Sequence, residues 1–169
     1  LTAPSFCGAH WSMVGAAGGR SPRPALDCLT WPRPARPGWS PREHQLALLA
    51  KARDGHSALL IAPTGAGKTL AGFLPSLVDL ANGPARAPDA GIHTLYISPL
   101  KALAVDIARN LATPVEEMGL PIRIETRTGD TPVSRRQRQR LRPPDILLTT
   151  PEQVALLLSH EDAARQFAR

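Results

Sequence analysis

Aromatic residues and cysteines are scarce in this chain, and it has no long apolar segment. Phe, Trp and Tyr make up 4% of the 169 residues. The two cysteines, Cys7 and Cys28, have the spacing of neither a disulfide framework nor a pair of zinc knuckles. No segment approaches the ~20 apolar residues of a membrane span, and residues 1–20 lack the basic start and unbroken apolar middle of a signal peptide. These absences argue against a disulfide-rich secreted domain and a membrane span, and they predict a cytoplasmic protein.

The charge balance is basic. Twenty Lys and Arg residues against 14 Asp and Glu residues give a formal net charge of +6 at pH 7. This excess favours a polyanionic partner, but an Arg-, Ala- and Pro-rich composition is equally typical of a GC-rich genome. The hydrophobic content of 43% is enough for the core of about one domain.

The composition changes near residue 38. Residues 1–37 are rich in Pro and Gly and show no apolar periodicity, so we expect a disordered leader there. Residues 38–169 have the texture of a folded domain. The first residue is Leu1 and not Met, which we interpret as the sign of a fragment.

Strand and helix patterns alternate along residues 38–169. A first helix is predicted through Leu46, Leu48, Leu49 and Ala52, ending near Gly55. Further helices are predicted after the loop at residues 62–69 to about Ala81, around Leu103, Ile107 and Leu111, over Thr131 to Leu141, and from Pro151 onward. Strands are predicted over Ser57 to Ala62, His93 to Ile97, Ile122 to Thr126 and Ile146 to Thr149. This order predicts an α/β fold in which helices cover both faces of a parallel sheet.

The run from Ala62 to Thr69 has the composition of a phosphate-binding loop. Small residues allow a tight turn whose backbone N–H groups converge on a phosphate, and the following helix directs its positive end at the anion. Lys68 is expected to contact the β- and γ-phosphates, and the Thr69 hydroxyl is expected to bind Mg²⁺. The predicted nucleotide-binding residues of the loop are Pro63, Thr64, Gly65, Ala66, Gly67, Lys68 and Thr69, with Lys68 and Thr69 also assigned the catalytic role.

Three further segments follow the later predicted strands. In a parallel sheet they lie along one edge, where helix N-termini and Thr hydroxyls can hold successive phosphates of a nucleic acid strand without reading its bases. The residues predicted to bind nucleic acid are Pro99, Leu100, Lys101, Arg127, Thr128, Gly129, Asp130, Thr149, Thr150, Pro151 and Glu152. Taken alone, Thr149 to Glu152 is also typical of an ordinary helix cap.

These segments together resemble the motifs of superfamily 2 helicases. That family uses Ala, as at Ala62, where the general phosphate-loop pattern begins with Gly. The other matches are Gly38 to Gln45 with the adenine-recognising Q motif, Ser98 to Leu103 with motif Ia, Arg127 to Thr131 with the Gly-containing motif that follows it, and Thr149 to Glu152 with motif Ib. The sequences of these motifs are most similar to those of the large helicase-related (Lhr) family, in its ligase-associated DEXH-box branch.

The resemblance implies a function for the intact protein. It implies a RecA-like P-loop NTPase domain that uses ATP and Mg²⁺ to draw single-stranded DNA in the 3′-to-5′ direction during DNA repair, with RNA left open. It also implies that Gln45 reads the adenine edge while Trp39 packs on the base. A DNA ligase or nuclease of the same repair pathway is the implied protein partner.

One expected element of such a motor is missing. These helicases hydrolyse ATP with an Asp-Glu-x-His box, and no acidic pair follows a predicted strand here. We therefore interpret residues 38–169 as a partial first motor domain, truncated before the Walker B strand, that binds ATP and nucleic acid without turnover. The alternatives are a stand-alone nucleotide-binding regulatory module and a P-loop kinase of small molecules.

Two basic features favour a structural interpretation. Arg135, Arg136, Arg138, Arg140 and Arg142 point to several faces of a predicted helix and are expected to form a solvated surface. His44, beside Gln45, is expected on a helix surface, with a functional contact as the alternative.

Overall fold

The computed structural model describes residues 41–87, 90–117 and 119–167, which fall into two compact units. The first comprises residues 41–75, and the second comprises the described residues from 76 onward. The predicted leader, both cysteines and Trp39 lie outside the described residues. Among the residues that the structure covers, no helix is long and apolar enough to cross a bilayer.

The first unit consists of helix α1 (Glu43–Arg53), an irregular segment, and the beginning of helix α2 (Lys68–Asn82). Helix α1 carries Glu43 in its first turn and Lys51 and Arg53 in its last turn, which complements the helix dipole. The buried apolar residues of this unit are Leu49, Ala71, Phe73 and Leu74.

The strand predicted over Ser57 to Ala62 is not present. Leu59 and Ile61 are 78% and 85% exposed, and none of the described strands pairs with this segment. A strand obtains its backbone hydrogen bonds from a neighbour, and the described part of the chain supplies none here. The prediction was wrong because an apolar run indicates a buried strand only where a sheet receives it.

The second unit contains a three-stranded parallel sheet. Its strands are β1 (Thr94–Ile97), β2 (Ile124–Arg127) and β3 (Ile146–Thr149), in the order β1-β3-β2. Its further helices are α3 (Lys101–Glu117), α4 (Val133–Leu141), α5 (Pro151–Leu158) and α6 (Ala163–Gln166). The predicted α/β fold with a parallel sheet is confirmed, and element boundaries differ by one or two residues.

Strand β3 lies in the centre of the sheet and every one of its residues is buried. Since successive side chains of a strand point to opposite faces, both faces of the sheet are covered at this strand. Helix α3 packs against β2 and β3. Leu147 belongs to a cluster with Ile92 and with Leu157 of α5.

The buried face of α3 is formed by Ala104, Ile107, Leu111 and Val115. Leu103, which the sequence pattern assigned to this face, is 42% exposed. The stripe therefore runs through Ala104 instead, because a small residue permits close packing of the helix on the sheet.

The strand register aligns the carboxyl ends of all three strands. Ile97 and Arg127 both pair with Thr149, so the segments that follow β1, β2 and β3 begin side by side. The backbone N–H of Ser98 donates to the Thr149 carbonyl at 2.9 Å, which extends this alignment past the end of β1. The predicted motif segments of the second unit therefore share one edge of the sheet.

Candidate nucleotide and nucleic acid sites

The phosphate loop of the first unit, residues 62–69, turns through two glycines in the left-handed region. Gly65 has φ +80° and Gly67 has φ +76°, conformations that L side chains rarely adopt. Gly67 is constrained a second time, because a Cβ there would lie 2.8 Å from the Gln45 Nε2 atom. The sequence therefore supplies glycine where the backbone requires it.

Side chains from the start of α1 donate to three consecutive carbonyls of this loop. Arg42 Nη1 donates to the Gly65 oxygen at 3.3 Å, His44 Nε2 to the Ala66 oxygen at 2.9 Å, and Gln45 Nε2 to the Gly67 oxygen at 3.3 Å. In a trans peptide the C=O and N–H groups point in opposite directions. Holding these carbonyls therefore directs the next N–H groups away from α1. Among them the Ala66 N–H donates to the Pro63 oxygen at 3.3 Å, while the Gly67 N–H has no acceptor in the described part of the chain and is left for an anion.

His44 thus lies half-buried on α1 and contacts the phosphate loop, which favours a functional contact over a plain helix-surface histidine. A carbonyl oxygen only accepts hydrogen bonds, so the His44 Nε2 atom carries the hydrogen in this contact. Arg42 was not singled out from the sequence at all. The local signal that would have found both is their position in the first turn of a helix shortly before the glycine-rich loop.

Gln45 is 3% exposed and uses both of its polar atoms within the protein. Its Oε1 accepts from the Arg42 backbone N–H at 2.8 Å, which caps α1, while its Nε2 binds Gly67. An amide retains one further N–H and one further lone pair after these bonds. Recognition of adenine by Gln45 stays a prediction.

Lys68 and Thr69 open helix α2 and are exposed. The Lys68 Nζ atom donates to the carbonyl oxygens of Ala62 at 2.7 Å and Pro63 at 2.8 Å. The ammonium group is thereby held at the mouth of the loop. Pro63 and Thr64 are exposed on the same loop.

In the second unit, the loop of residues 128–131 meets the start of α3. The Thr128 N–H donates to the Thr131 Oγ1 atom at 2.9 Å and the Thr131 N–H donates to the Thr128 oxygen at 3.1 Å, which closes the loop as a turn. The Lys101 Nζ atom forms an ion pair with the Asp130 Oδ2 atom at 2.7 Å. A cavity of about 420 Å³ opens beside this pair, lined by Lys101, Ala102, Val105, Asp106, Arg109, Thr128 and Asp130.

Two threonine hydroxyls at this edge form hydrogen bonds within the protein. Thr149 is fully buried and its Oγ1 atom donates to the Arg127 oxygen at 2.7 Å, across neighbouring strands. The Thr131 hydroxyl closes the 128–131 loop. Thr149 is therefore not placed to hold a phosphate with its hydroxyl, which corrects the role expected from the sequence.

Arg127 also departs from the expected surface contact, since it is 3% exposed at the end of β2. Burial lowers the pKa of its guanidinium, and the positive charges of Arg136 and Arg140 lower it further, partly offset by Asp162. Its Nε and Nη1 atoms have no hydrogen-bond partner. The side chain lies inside the unit and does not face a strand on the surface.

The remaining edge residues form helix starts. Thr150 is the N-cap of α5, Pro151 is its first residue, and Glu152 lies in its first turn. Hydrogen bonds from the Glu152 backbone N–H and the Thr150 side chain lower the pKa of the exposed Glu152 carboxyl. Pro99 and Leu100 lie just before α3. These two residues, Pro151 and Glu152 are all exposed to solvent.

The arginines of α4 lie on the surface, as expected, and three of them also form ion pairs within the protein. Arg135 and Arg138 contact Glu125 at 3.4 Å and 3.0 Å, and Arg140 contacts Asp162 at 3.0 Å. Arg136 instead donates to carbonyl oxygens of the 128–131 loop. The helix pattern alone could not reveal these pairs, because the partners lie on other elements.

Comparison with known proteins places these sites in a family. The sequence profile of the DEAD/DEAH box helicases matches residues 42–168. The chain is 50% identical over 123 residues to "Lhr helicase/ probable uracil glycosylase" of Mycolicibacterium smegmatis, and 44% identical over 123 residues to "Lhr helicase/uracil glycosylase" of Escherichia coli. These alignments cover 67% and 64% of this chain, and the chain spans 8% of the length of each relative.

The fold agrees with that comparison. The structure of the Mycobacterium smegmatis helicase Lhr bound to single-stranded DNA and AMP-PNP matches with a TM-score of 0.65 and 41% sequence identity. The match covers 75% of this chain and 17% of that chain. The RecA-like fold and the likeness to Lhr helicases that the motifs predicted are therefore confirmed.

Proposed function

We propose that this chain, which belongs to the DEAD/DEAH box helicase family, is the part of an ATP-dependent DNA helicase that binds ATP and one DNA strand. The observation that carries the proposal is the phosphate loop, whose carbonyls are held by α1 and whose N–H groups are directed away from it. The whole protein's activity is inferred, since the chain spans 8% of the two curated relatives compared above.

The loop suits a triphosphate in three respects. Gly65 and Gly67 provide the tight turn, and the N–H groups of both residues have no acceptor among the described residues. The Lys68 ammonium is exposed next to them and is held by neutral carbonyls, which phosphate oxygens can replace as stronger acceptors. These residues bind and orient the β- and γ-phosphates.

The Thr69 hydroxyl is exposed one residue after Lys68, which suits its predicted contact with Mg²⁺. Within residues 41–87, 90–117 and 119–167, no three His, Cys, Asp or Glu side chains are grouped to hold a metal ion. A magnesium ion here would therefore depend on Thr69 and on phosphate oxygens. Its chemical contribution would be to neutralise charge on the phosphates.

The edge of the second unit supports a role for its loops in binding nucleic acid. Three segments follow the aligned parallel strands, namely the start of α3 with Lys101, the 128–131 loop and the start of α5. Lys101 lies beside the exposed residues Gly129 and Asp130 of that loop. Single-stranded DNA as the ligand is supported by the Lhr structure, which contains single-stranded DNA and AMP-PNP. RNA binding stays open, and the 3′-to-5′ direction, the role in DNA repair, the ligase-associated branch, the ligase or nuclease partner and the cytoplasmic location stay predictions.

The proposal is tested by measuring the binding of Mg-ATP and of a fluorescent oligothymidylate to the 169-residue chain. Lys68→Ala should weaken ATP binding by at least about tenfold, because a charge-assisted phosphate contact is lost. Lys51→Ala, which removes an exposed lysine from α1, is the matched control and should leave ATP binding unchanged. Equal ATP affinities of wild type and Lys68→Ala would contradict the assignment of the loop.

A further inference from the structure

Arg136 differs from the other paired arginines of α4 because it binds backbone and not a carboxylate. Its Nε atom donates to the Thr131 oxygen at 2.7 Å and its Nη2 atom donates to the Gly129 oxygen at 2.6 Å. The side chain is partly buried behind the loop. One guanidinium thus holds two carbonyls of the 128–131 loop.

The effect of these bonds follows from the geometry of the peptide unit. The Gly129 carbonyl and the Asp130 N–H belong to the same trans peptide and point in opposite directions. The Arg136 contact therefore directs the Asp130 N–H away from α4. In the same way, the bond from the Thr131 N–H to the Thr128 oxygen directs the Gly129 N–H outward.

The two N–H groups that result are available for a ligand. Gly129 and Asp130 are exposed, and among the described residues neither backbone N–H has an acceptor. The Lys101 ammonium is held beside them by the Asp130 carboxylate at 2.7 Å, so a phosphate that binds here competes with this carboxylate for Lys101. Consecutive outward N–H groups next to a cation form a concave site for an anion.

From this geometry we infer that Arg136 is a positioning residue for nucleic acid binding, which holds the 128–131 loop so that the Gly129 and Asp130 N–H groups contact one phosphodiester beside Lys101. In this arrangement Arg136 acts through the loop, because its Nε and Nη2 atoms are bound to the carbonyls behind it. The inference rests on the proposed function, since it assumes that this edge binds a nucleic acid strand.

The chain offers a matched pair of substitutions for the test. Arg136→Gln removes the two loop contacts, whereas Arg138→Gln removes the same charge from the same helix but only a contact to Glu125, which keeps Arg135 and Gln139 as partners. We expect Arg136→Gln to weaken oligothymidylate binding by about tenfold. Arg138→Gln should weaken it by about twofold or less, since only a distant charge is removed.

The salt dependence separates positioning from direct contact. Each cation that contacts a phosphate contributes about 0.7 to the slope of log K against log salt for a single strand. Arg136→Gln should therefore show the same slope as Arg138→Gln although it binds more weakly. A slope reduced by about 0.7 relative to Arg138→Gln would mean that Arg136 contacts phosphate itself, and would overturn the inference.

The remaining outcomes are also decisive. If the wild-type chain binds no oligothymidylate, the proposed function and this inference fail together. If it binds, and Arg136→Gln binds as well as Arg138→Gln, this inference alone fails.

If circular dichroism shows that Arg136→Gln does not fold, Arg136→Lys is the variant to measure, because lysine keeps the charge but cannot bind both carbonyls as the planar guanidinium does. Affinity equal to wild type would then overturn the inference, and a loss with an unchanged slope would support it.

Discussion

The phosphate loop at residues 62–69 and the loop at residues 128–131 both present backbone N–H groups to solvent, but different side chains hold them. Both expose backbone N–H groups by having their carbonyls bound from behind by side chains of a helix. In the first loop the donors come from Arg42, His44 and Gln45, one for each carbonyl. In the second loop Arg136 alone binds two carbonyls.

The difference shows where each loop is sensitive to change. Loss of one α1 donor leaves two carbonyls of the phosphate loop bound, whereas loss of Arg136 leaves both of its carbonyls unbound. The phosphate loop depends more on its backbone, since Gly65 and Gly67 have positive φ, while no described residue of the 128–131 loop does. The lysines beside the two loops also differ in their partners. Lys68, at the phosphate loop, is held by neutral carbonyls, whereas Lys101, at the 128–131 loop, is held by a carboxylate.

The largest effect in this comparison is expected from the glycines of the phosphate loop. Gly67→Ala should lower the free energy of unfolding by about 2 kcal/mol, because an L residue is strained at positive φ and the new Cβ would displace the Gln45 amide. Gly65→Ala, which has the strain but no close neighbour, should cost about 1 kcal/mol. Urea unfolding measures both.

Gly72→Ala is the control for that series. Gly72 lies in α2 with open space around its Cβ position, so alanine should stabilise the chain by up to about 1 kcal/mol. A Gly67→Ala variant as stable as Gly65→Ala would show that the Gln45 amide moves aside without cost. The contact between Gln45 and Gly67 would then not contribute to stability.

The next effect concerns the two roles of Gln45. Gln45→Ala should narrow the difference in affinity between ATP and GTP by on the order of 1 kcal/mol if the amide reads adenine. His44→Ala removes one carbonyl contact from the same turn and should weaken both nucleotides equally. Titration with fluorescent nucleotide analogues, competed by ATP or GTP, gives both ratios. An ATP-to-GTP ratio that Gln45→Ala leaves unchanged would assign Gln45 to loop positioning alone.

A smaller effect is expected from the ion pair at the second loop. Asp130→Asn should strengthen oligothymidylate binding by about two- to threefold at low salt, because the exposed Lys101 is freed for phosphate. Asp106→Asn removes a carboxylate from the same cavity without a lysine partner and is the control. Fluorescence anisotropy at several salt concentrations compares them. If Asp106→Asn strengthened binding as much as Asp130→Asn, the gain would come from net charge and not from Lys101.

The smallest effect is a pH dependence of the stability at Glu125, whose carboxylate binds side chains of α4. Burial by itself raises the pKa of Glu125, but hydrogen bonds from Gln139 and Arg138, the charge of Arg138 and a hydrogen bond from Arg135 outweigh it, so the pKa lies below its usual value. A carboxyl with a lowered pKa stabilises the fold above its unfolded pKa of about 4.3, and this stabilisation is lost as the pH falls through the folded pKa.

Glu125→Gln should remove that dependence. Because its arginine partners are largely exposed and screened, the difference in unfolding free energy between wild type and Glu125→Gln should shrink by about 0.5 kcal/mol or less from pH 7 to pH 3. Urea unfolding at the two pH values measures it. A difference that grows toward low pH would contradict the lowered pKa.

Most of the architecture was readable from local patterns. The three strands β1, β2 and β3, the helices between them and the phosphate loop each have a signal within about ten to fifteen residues of sequence. The alignment of the motif segments also followed, because carboxyl ends of parallel strands meet at one edge. The strand at Ser57 to Ala62 failed because its signal was local while its formation requires a neighbour.

The site was less predictable, because residue type does not reveal which atoms a side chain binds. Thr149 and Arg127 were assigned to the surface by their motifs, yet the hydroxyl of one binds the carbonyl of the other inside the sheet. The ion pairs of the α4 arginines were not predicted, because a helical pattern contains no information about Glu125 or Asp162 on other elements.

The sequence by itself determined that this chain has a phosphate loop, a parallel α/β sheet and the motif order of the DEAD/DEAH box helicases, because each rests on short-range pattern and spacing. Only the tertiary structure decided which side chains hold the two loops. His44 and Arg136 reach carbonyls 22 and 7 residues away along the chain, and such contacts depend on how the backbone places donor and acceptor within about 3 Å of each other.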